Sequence, residues 1–262
     1  MGSAALHIAR TGLDAQDTRM RVISNNLANV NTTAFKKDRA SFETLAYQVI
    51  TAPGAASTAE TKYATGLNLG TGVRTQGTQR IETQGSLQTT GNGLDMAIDG
   101  NGYFQIQLPG GGLGYTRAGN FSRSPEGQLV TSEGYQVMPG VTIPEGAVSV
   151  TVGSDGTVSA QMPNQTDLTQ IGQVQVASFP NPAGLQAVGD NYLIETPASG
   201  SVALGNAGID GRGTIRQGML EGSNVNVVEE LVDMIETQRA YEVNSKMISA
   251  TDEMLKYVNQ NI

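Results

Sequence analysis

Apolar residues recur at seven-residue intervals near both ends of this chain. Leu6, Leu13, Met20 and Leu27 form one column, and Ala9, Ile23 and Val30 follow three of them by three places. Val227, Met234, Tyr241, Ile248 and Leu255 form a second column. Such spacing runs along one side of a helix and makes the seam by which it packs on another helix. The pattern predicts a first helix from about Ser3 to Asn29. It should close at Asn31-Thr32-Thr33, where Asn31 can take the left-handed conformation. A second helix is predicted from Val227 to about Val258, roughly 48 Å long at the standard rise. Its start carries a capping box, with Asn226 as N-cap and Glu229 at the third helical position. Glu230 adds negative charge at the positive helix end. Val232, Val243, Met247, Met254 and Val258 form a further stripe, so more than one neighbour is expected on this helix.

Between the helices the pattern changes. Phe35 to Ile50 is ambiguous between a continued helix and an extended arm, because Phe42, Leu45 and Val49 suit a helical face and alternation is weak. Thr51 to Gly72 is rich in Pro, Gly, Ala, Ser and Thr and reads as an extended connector. From Val73 to about Gly222, short apolar runs alternate with turn signals such as Asp99-Gly100, Asn101-Gly102, Glu126-Gly127 and Asp155-Gly156. Leu94 to Ile98, Tyr103 to Leu108, Gln128 to Thr131, Ala147 to Val152, Gly172 to Phe179 and Tyr192 to Glu195 suit strands. The expected fold class is α+β. Residues 1–33 and 225–262 should form a coiled-coil-like helical domain, 34–72 a connector, and 73–224 an all-β domain.

Composition supports this division. Thirty-three glycines, no tryptophan and 15% charged residues describe turn-rich β structure with a lightly charged surface. The net charge of −8 disfavours nucleic acid or an anionic membrane as partner. Its distribution is uneven: residues 1–50 carry six basic and four acidic side chains, and 221–262 carry three and eight. The ends are therefore weakly complementary, which biases them toward pairing within or between subunits. No apolar run approaches a membrane span, so membrane insertion is not expected. The first ten residues lack the basic and apolar regions of a cleaved secretory signal.

Convergent chemistry is sparse. There is no cysteine, hence no disulfide, thiolate nucleophile or cysteine metal site. His7 is the single histidine and lies beside an apolar stripe, where packing or exposure explains it better than catalysis. Gly110 to Gly114 lacks the Lys-Ser/Thr ending of a phosphate loop and reads as a hairpin turn. Asp95, Asp99 and Asn101 lack the spacing and terminal Glu of a calcium loop. Asp155 and Glu195 could serve glycoside cleavage only if the fold paired them. No cofactor, metal or enzymatic activity is expected. Asn25, Asn26 and Asn29 suit capping and inter-helix hydrogen bonds.

The motifs themselves carry a resemblance. Ser24 to Lys36, with Asn25, Asn26, Leu27, Asn29, Asn31, Phe35 and Lys36, resembles the N-terminal signature of bacterial flagellar rod and hook proteins. Glu221 to Asn226, followed by Glu229-Glu230-Leu231-Val232 and Gln238 to Glu242, is similar to their C-terminal signature. Leu94 to Phe104, Tyr115 to Phe121 and Gly127 to Val130 resemble the family's β-domain motif. Length, the stretch Ile8 to Gln16, and Tyr47 to Ile50 ahead of Pro53-Gly54 are nearest to the distal rod branch. Ala34 departs from the pattern, which usually has glycine there. Either the turn is built differently here, or glycine is not sterically required.

The resemblance implies a helical homopolymer with end helices inside and β domains outside, without a cofactor. It further implies proximal rod proteins, the hook protein, basal-body rings and the flagellar export apparatus as partners. It implies a periplasmic rod in the basal body, reached without a cleaved signal peptide. The expected assembly contacts are Leu6, Leu13, Met20, Ile23, Leu27, Val30, Val227, Leu231, Met234, Tyr241, Ile248 and Leu255. One apolar stripe does not offset the entropy of ordering nearly thirty residues, so the first helix should order only when partners cover it. Two other readings are a proximal rod or hook protein of the same family and, from a different class, a secreted β-rich carbohydrate-binding or carbohydrate-cleaving protein.

Overall fold

The first helix, α1 (Gly2–Ala28), begins and ends within a residue of where the apolar column places it. A computed structural model describes residues 2–54, 64–163 and 167–260 of the chain. Most of the expected connector's middle, 55–63, and the side chain of Val258 lie outside the described residues. The second helix, α2 (Val227–Gln260), has 34 residues and so extends about 51 Å. The chain divides into two compact units, one gathering both helices with residues 38–79, the other 29–37 with 80–225.

The helical unit also contains four strands, β1 (Asp38–Thr44), β2 (Gln48–Thr51), β3 (Leu67–Leu69) and β4 (Val73–Arg80). The ambiguous stretch from Phe35 to Ile50 thus carries strands and not a continued helix, and its arm is paired: β1 with β4 and β2 with β3. Ladder hydrogen bonds bring 38–44 and 73–79 together, so this unit takes in segments that composition alone assigned to a connector and to the β domain. The ribbon is seated on α1, where the Val73 N–H donates to Thr11 Oγ1 at 3.3 Å.

The second unit is built of β strands, with one short 3-10 helix at Pro182–Gly184. Its strands are β5 (Leu87–Thr89), β6 (Met96–Asp99), β7 (Tyr103–Gln107), β8 (Leu113–Thr116), β9 (Ser122–Arg123), β10 (Leu129–Val130) and β11 (Ser149–Val152). They continue with β12 (Thr157–Gln161), β13 (Leu168–Gln173), β14 (Val176–Ser178), β15 (Gln186–Gly189), β16 (Tyr192–Ile194), β17 (Ala203–Gly205), β18 (Thr214–Gln217) and β19 (Met219–Glu221). The main sheet is antiparallel in the order β15-β16-β8-β7-β14-β17, and β11-β12-β13 form a second one. The run Gly172 to Phe179 is not one strand: it is split between β13 and β14, which belong to different sheets. The β7–β8 hairpin turns through Gly110 and Gly111, both at positive φ. Asp190 and Asn191 at φ 51° and 59° turn the β15–β16 hairpin, as a two-residue primed turn demands.

Side chains alternate across the main sheet and both faces are buried. Phe104, Ile106 and Val176 join Met96, Ile98, Phe121 and Ile215 in the larger core. Tyr103, Ala177, Tyr115 and Leu193 face the other way, against Phe179 and Leu185. Phe104 meets Phe121 edge-to-face at 5.1 Å, and Tyr115 meets Phe179 at 4.8 Å. Gly119 has no room for a side chain, since a Cβ there would stand 1.6 Å from the Met96 carbonyl oxygen.

Candidate assembly surface

The helix pair is antiparallel. Asn26 of α1 meets Glu230 of α2, Arg19 meets Asp233, and Gly12 lies beside Asn244. The seam is partly polar, because Glu230 and Thr237 are the residues of α2 that are buried among those described. On α1 the buried positions are Ala9, Ala15, Ile23 and Asn26. Small residues permit close approach at Gly12, where a Cβ would stand 3.1 Å from the Asn244 amide.

The apolar columns divide between seam and surface. Leu6, Leu13, Met20, Leu27, Met234, Ile248 and Leu255 are half-buried. Val227, Leu231 and Tyr241 are exposed, and so are Val232, Val243, Met247 and Met254 of the further stripe. Val228 and Tyr257 are each 70% exposed. A 34-residue helix thus leaves large apolar side chains uncovered along its length, which is unusual for a surface in water. The β2–β3 ribbon adds Tyr47, Val49, Ile50, Leu67 and Leu69, all roughly half exposed or more. These ribbon residues were not among the expected contacts. Their alternation is too short and irregular to stand out in the sequence.

Asn226 caps α2: its Oδ1 accepts the Val228 N–H at 3.1 Å. Glu229 lies at the third helical position and is exposed. Asn26 is the most engaged of the asparagine cluster. Its amide donates to the Asp38 carbonyl at 2.9 Å and Glu230 Oε2 at 3.1 Å, and its Oδ1 accepts the Asp38 N–H at 3.0 Å. One buried side chain therefore joins α1 to both α2 and β1. Asn25 and Asn31 are exposed, and Asn29 Oδ1 accepts the Thr32 hydroxyl.

The other motif residues meet in the β unit. Lys36 Nζ lies 2.6 Å from Glu221 Oε1, and Arg117 Nε lies 2.7 Å from Glu221 Oε2. All three side chains are almost wholly buried. Glu221 also accepts the Gly85 N–H, Lys36 donates to the Thr83 carbonyl, and Arg117 donates to the carbonyls of Ile98, Gly100 and Gly102. Burial and the nearby Arg117 guanidinium pull the Lys36 pKa down, although Glu221 opposes this. Asn224 extends the cluster: its Oδ1 accepts the Lys37 N–H, and its amide donates to Ile81 and Thr83. The Phe35 carbonyl accepts the Asn224 N–H, and Phe35 itself is half-buried. Val30, also half-buried, belongs to the β unit and so stands apart from the α1 column. Sequence pattern gave Arg117, Glu221 and Asn224 no role. Their place inside two of the motifs, Arg117 in Tyr115 to Phe121 and both Glu221 and Asn224 in Glu221 to Asn226, was the available signal.

The left-handed residue after α1 is Ala34, at φ 58°, and not Asn31. The chain turns late because Ala34 N–H must reach the Glu221 carbonyl, at 2.8 Å. The turn is therefore built in the left-handed conformation even though alanine occupies it.

The acidic residues weighed for chemistry have structural partners. Asp95 accepts the Thr90 hydroxyl and the Asn92 amide, Asp99 pairs with Arg216, and Asp155 holds the turn before Thr157. Among the described residues no group of three His, Asp or Glu side chains converges, and no helix is long and apolar enough to cross a membrane.

Comparison with known proteins finds three family models along the chain. Residues 6–36 match one described as flagella basal body rod protein, 97–160 the flagellar hook protein FlgE/F/G D1 domain, and 216–261 the flagellar basal body rod FlgEFG protein C-terminal. The chain is 48% identical over 256 residues to the flagellar basal-body rod protein FlgG of Buchnera aphidicola subsp. Acyrthosiphon pisum, covering 98% of each. It is 46% identical to that of Agrobacterium fabrum, covering 98% of this chain and 99% of the relative. It is 39% identical to that of Bacillus subtilis, covering 96% of each.

Proposed function

The chain belongs to the flagellar basal-body rod protein family, and on that premise we propose that it is the structural subunit of the distal rod. Copies polymerise into a hollow helical shaft that carries torque from motor to hook. The observation that supports this reading is the uncovered apolar length of α2, with Val228, Ile235, Val243, Met254 and Tyr257 each more than half exposed. In a polymer those side chains are sheltered by neighbouring copies through coiled-coil-like contacts. Eleven of the twelve expected contact residues then act in two groups: the buried Ile23 and the half-buried Leu6, Leu13, Met20, Leu27, Met234, Ile248 and Leu255 hold α1 to α2, and Val227, Leu231 and Tyr241 join the outward face; Val30 lies in the β unit.

One surface of a subunit docks on a different surface of the next, so the contact continues along a helix instead of closing a dimer. Stiffness follows from many interlocked helices, and no covalent step is involved. Proximal rod proteins and the hook protein would meet the two ends of the shaft, and ring proteins its outside. Delivery is through the flagellar export apparatus to the periplasm.

Removal of residues 1–30 or 227–262 tests the helix role. Each truncation should leave a soluble β unit that forms no filaments in electron micrographs. Normal filaments from either one would refute the proposal. Wild-type subunits should gain helical circular dichroism on polymerising, and equal helix content before and after would remove the coupled-folding element.

A further inference from the structure

The segment between α1 and β1 belongs to the unit that does not contain those elements. Residues 29–37 fall with 80–225, whereas α1 ends at Ala28 and β1 begins at Asp38. Its hydrogen bonds are numerous. The Thr33 carbonyl accepts the Asn191 amide at 3.0 Å, the Ala34 N–H reaches the Glu221 carbonyl, and the Lys37 N–H reaches Asn224 Oδ1 at 2.7 Å. The Lys37 carbonyl in turn accepts the Ile81 N–H at 2.9 Å. Lys36 sinks its ammonium into the Glu221–Arg117 pair, and Glu221 Oε1 also accepts the Gly85 N–H at 2.9 Å. A side chain at Gly85 would collide with the Gly222 carbonyl, so the backbones of 85 and 222 are in direct contact. Each of these partners lies in the β unit and not in either helix.

Three chain segments that leave the β unit are thereby lashed together at Lys37, Ile81 and Asn224. α1 ends six residues before Ala34, which is anchored to the Glu221 carbonyl. The N-cap of α2 follows two residues after Asn224.

We infer that residues 29–37 are a pre-folded anchor, formed with the β unit before the terminal helices order. It releases the end of α1 and the start of α2 from neighbouring points, ready to pair at an assembling tip. This rests on the rod-subunit reading and supplies the device by which its helices fold on docking. The physical advantage is entropic. Helix nucleation requires several residues to be fixed for one hydrogen bond, with an initiation constant on the order of 0.001. Fixed origins remove part of that cost, and two segments tethered at adjacent points meet at a high effective concentration. A buried, hydrogen-bonded ion cluster suits the role, because the bonds of Lys36 to Glu221 and the Thr83 carbonyl and of Arg117 to Glu221 are satisfied together in one arrangement, which gives the anchor one well-defined state.

Hydrogen exchange on the full-length, unpolymerised subunit tests the inference. The amides of Ala34, Lys37, Ile81 and Gly85 should exchange with the slow core strand β7, at least about 100-fold more slowly than amides within α1 and α2. Exchange of 34–37 at the rate of the helices would overturn the anchor. Helices as protected as β7 would overturn it too, because the anchor would then precede nothing. In Lys36→Met, exchange at 34–37 should accelerate while β7 stays slow, and seeded filament elongation should slow by about tenfold. Unchanged elongation with an opened anchor sinks the assembly role. The Asn224→Ala variant, which spares the ion cluster, provides the same readouts if Lys36→Met does not fold. A subunit that forms no filaments under any condition fails the rod reading itself, and the wild-type exchange pattern still decides the anchor.

Discussion

Ala34 shows how a position can tolerate a residue that its backbone disfavours. Left-handed φ costs alanine about 1 to 2 kcal/mol. Glycine would relieve this but adds unfolded-state entropy of about 0.4 to 1 kcal/mol and removes a buried methyl worth about 0.8 kcal/mol. These effects nearly cancel at this buried site. Ala34→Gly should therefore change stability by less than about 0.5 kcal/mol in urea unfolding, whereas the β-branched Ala34→Val should cost at least about 2 kcal/mol. A large gain from glycine would show that the strain is greater than this balance allows. Glu221 is less tolerant. Glu221→Gln leaves two buried cations facing a neutral amide, and a loss of about 3 to 5 kcal/mol is expected from the midpoint of the β unit's urea transition. Glu133 offers a pH test. The Tyr192 hydroxyl donates to it and holds its carboxyl below the usual value of 4.5. A carboxylate whose folded pKa is depressed contributes stability that is complete above its unfolded pKa and fades as pH falls through the folded one. The difference in melting temperature between wild type and Tyr192→Phe should be full at neutral pH and shrink below about pH 4.5. A difference that is flat from pH 7 to 3 would contradict the cause assigned to the shift.

Elements behave according to what they bury. β7 alternates Tyr103 and Phe104 into two cores and forms without outside help. α2 buries Glu230 and Thr237, so its own unit gives it little hydrophobic support. Capping matters more in such a helix than in one locked by a core. Asn226→Ala should cost about 1 kcal/mol per subunit and lower the melting temperature of the polymer, with a smaller effect on the β unit. Equal shifts in both would mean that the helix and the β unit are coupled more tightly than their burial suggests. The Arg19–Asp233 pair is half exposed and contributes little beyond orientation, the more so in salt. Helix existence and limits were legible in the sequence because period seven persists over many turns. The short strands were less so. Residues 157–161, 186–189 and 214–217 have about half of their positions filled by Thr, Ser, Gln and Gly, and 214–217 pairs with the distant β6.

For the whole molecule, the two units should respond differently to heat before assembly. Far-ultraviolet circular dichroism, which reads the helices, should change gradually. The near-ultraviolet signal of Tyr103, Tyr115, Tyr135 and Tyr192, buried or half-buried in the β unit, should fall in one cooperative step. The absence of tryptophan leaves tyrosine as the natural probe. Coincident transitions would mean that the helices already share the cooperativity of the β unit, and assembly would then add contacts without adding folding.

The sequence by itself determined that the chain is α+β, where its helices lie, how α2 begins, and that its motifs belong to rod and hook proteins. These properties reside in local period, capping chemistry and contiguous signatures. Only the tertiary structure decided that 29–37 belongs with the β unit, that β1 to β4 sit with the helices, and that the inner face of α2 carries Glu230, Thr237 and Asn244 beside the half-buried Met234, Ile248 and Leu255. It also brought Lys36, Arg117 and Glu221 from three distant motifs onto one carboxylate. Long-range pairing is fixed by which hydrogen bonds and charges can be satisfied together in three dimensions, and no one-dimensional period encodes that.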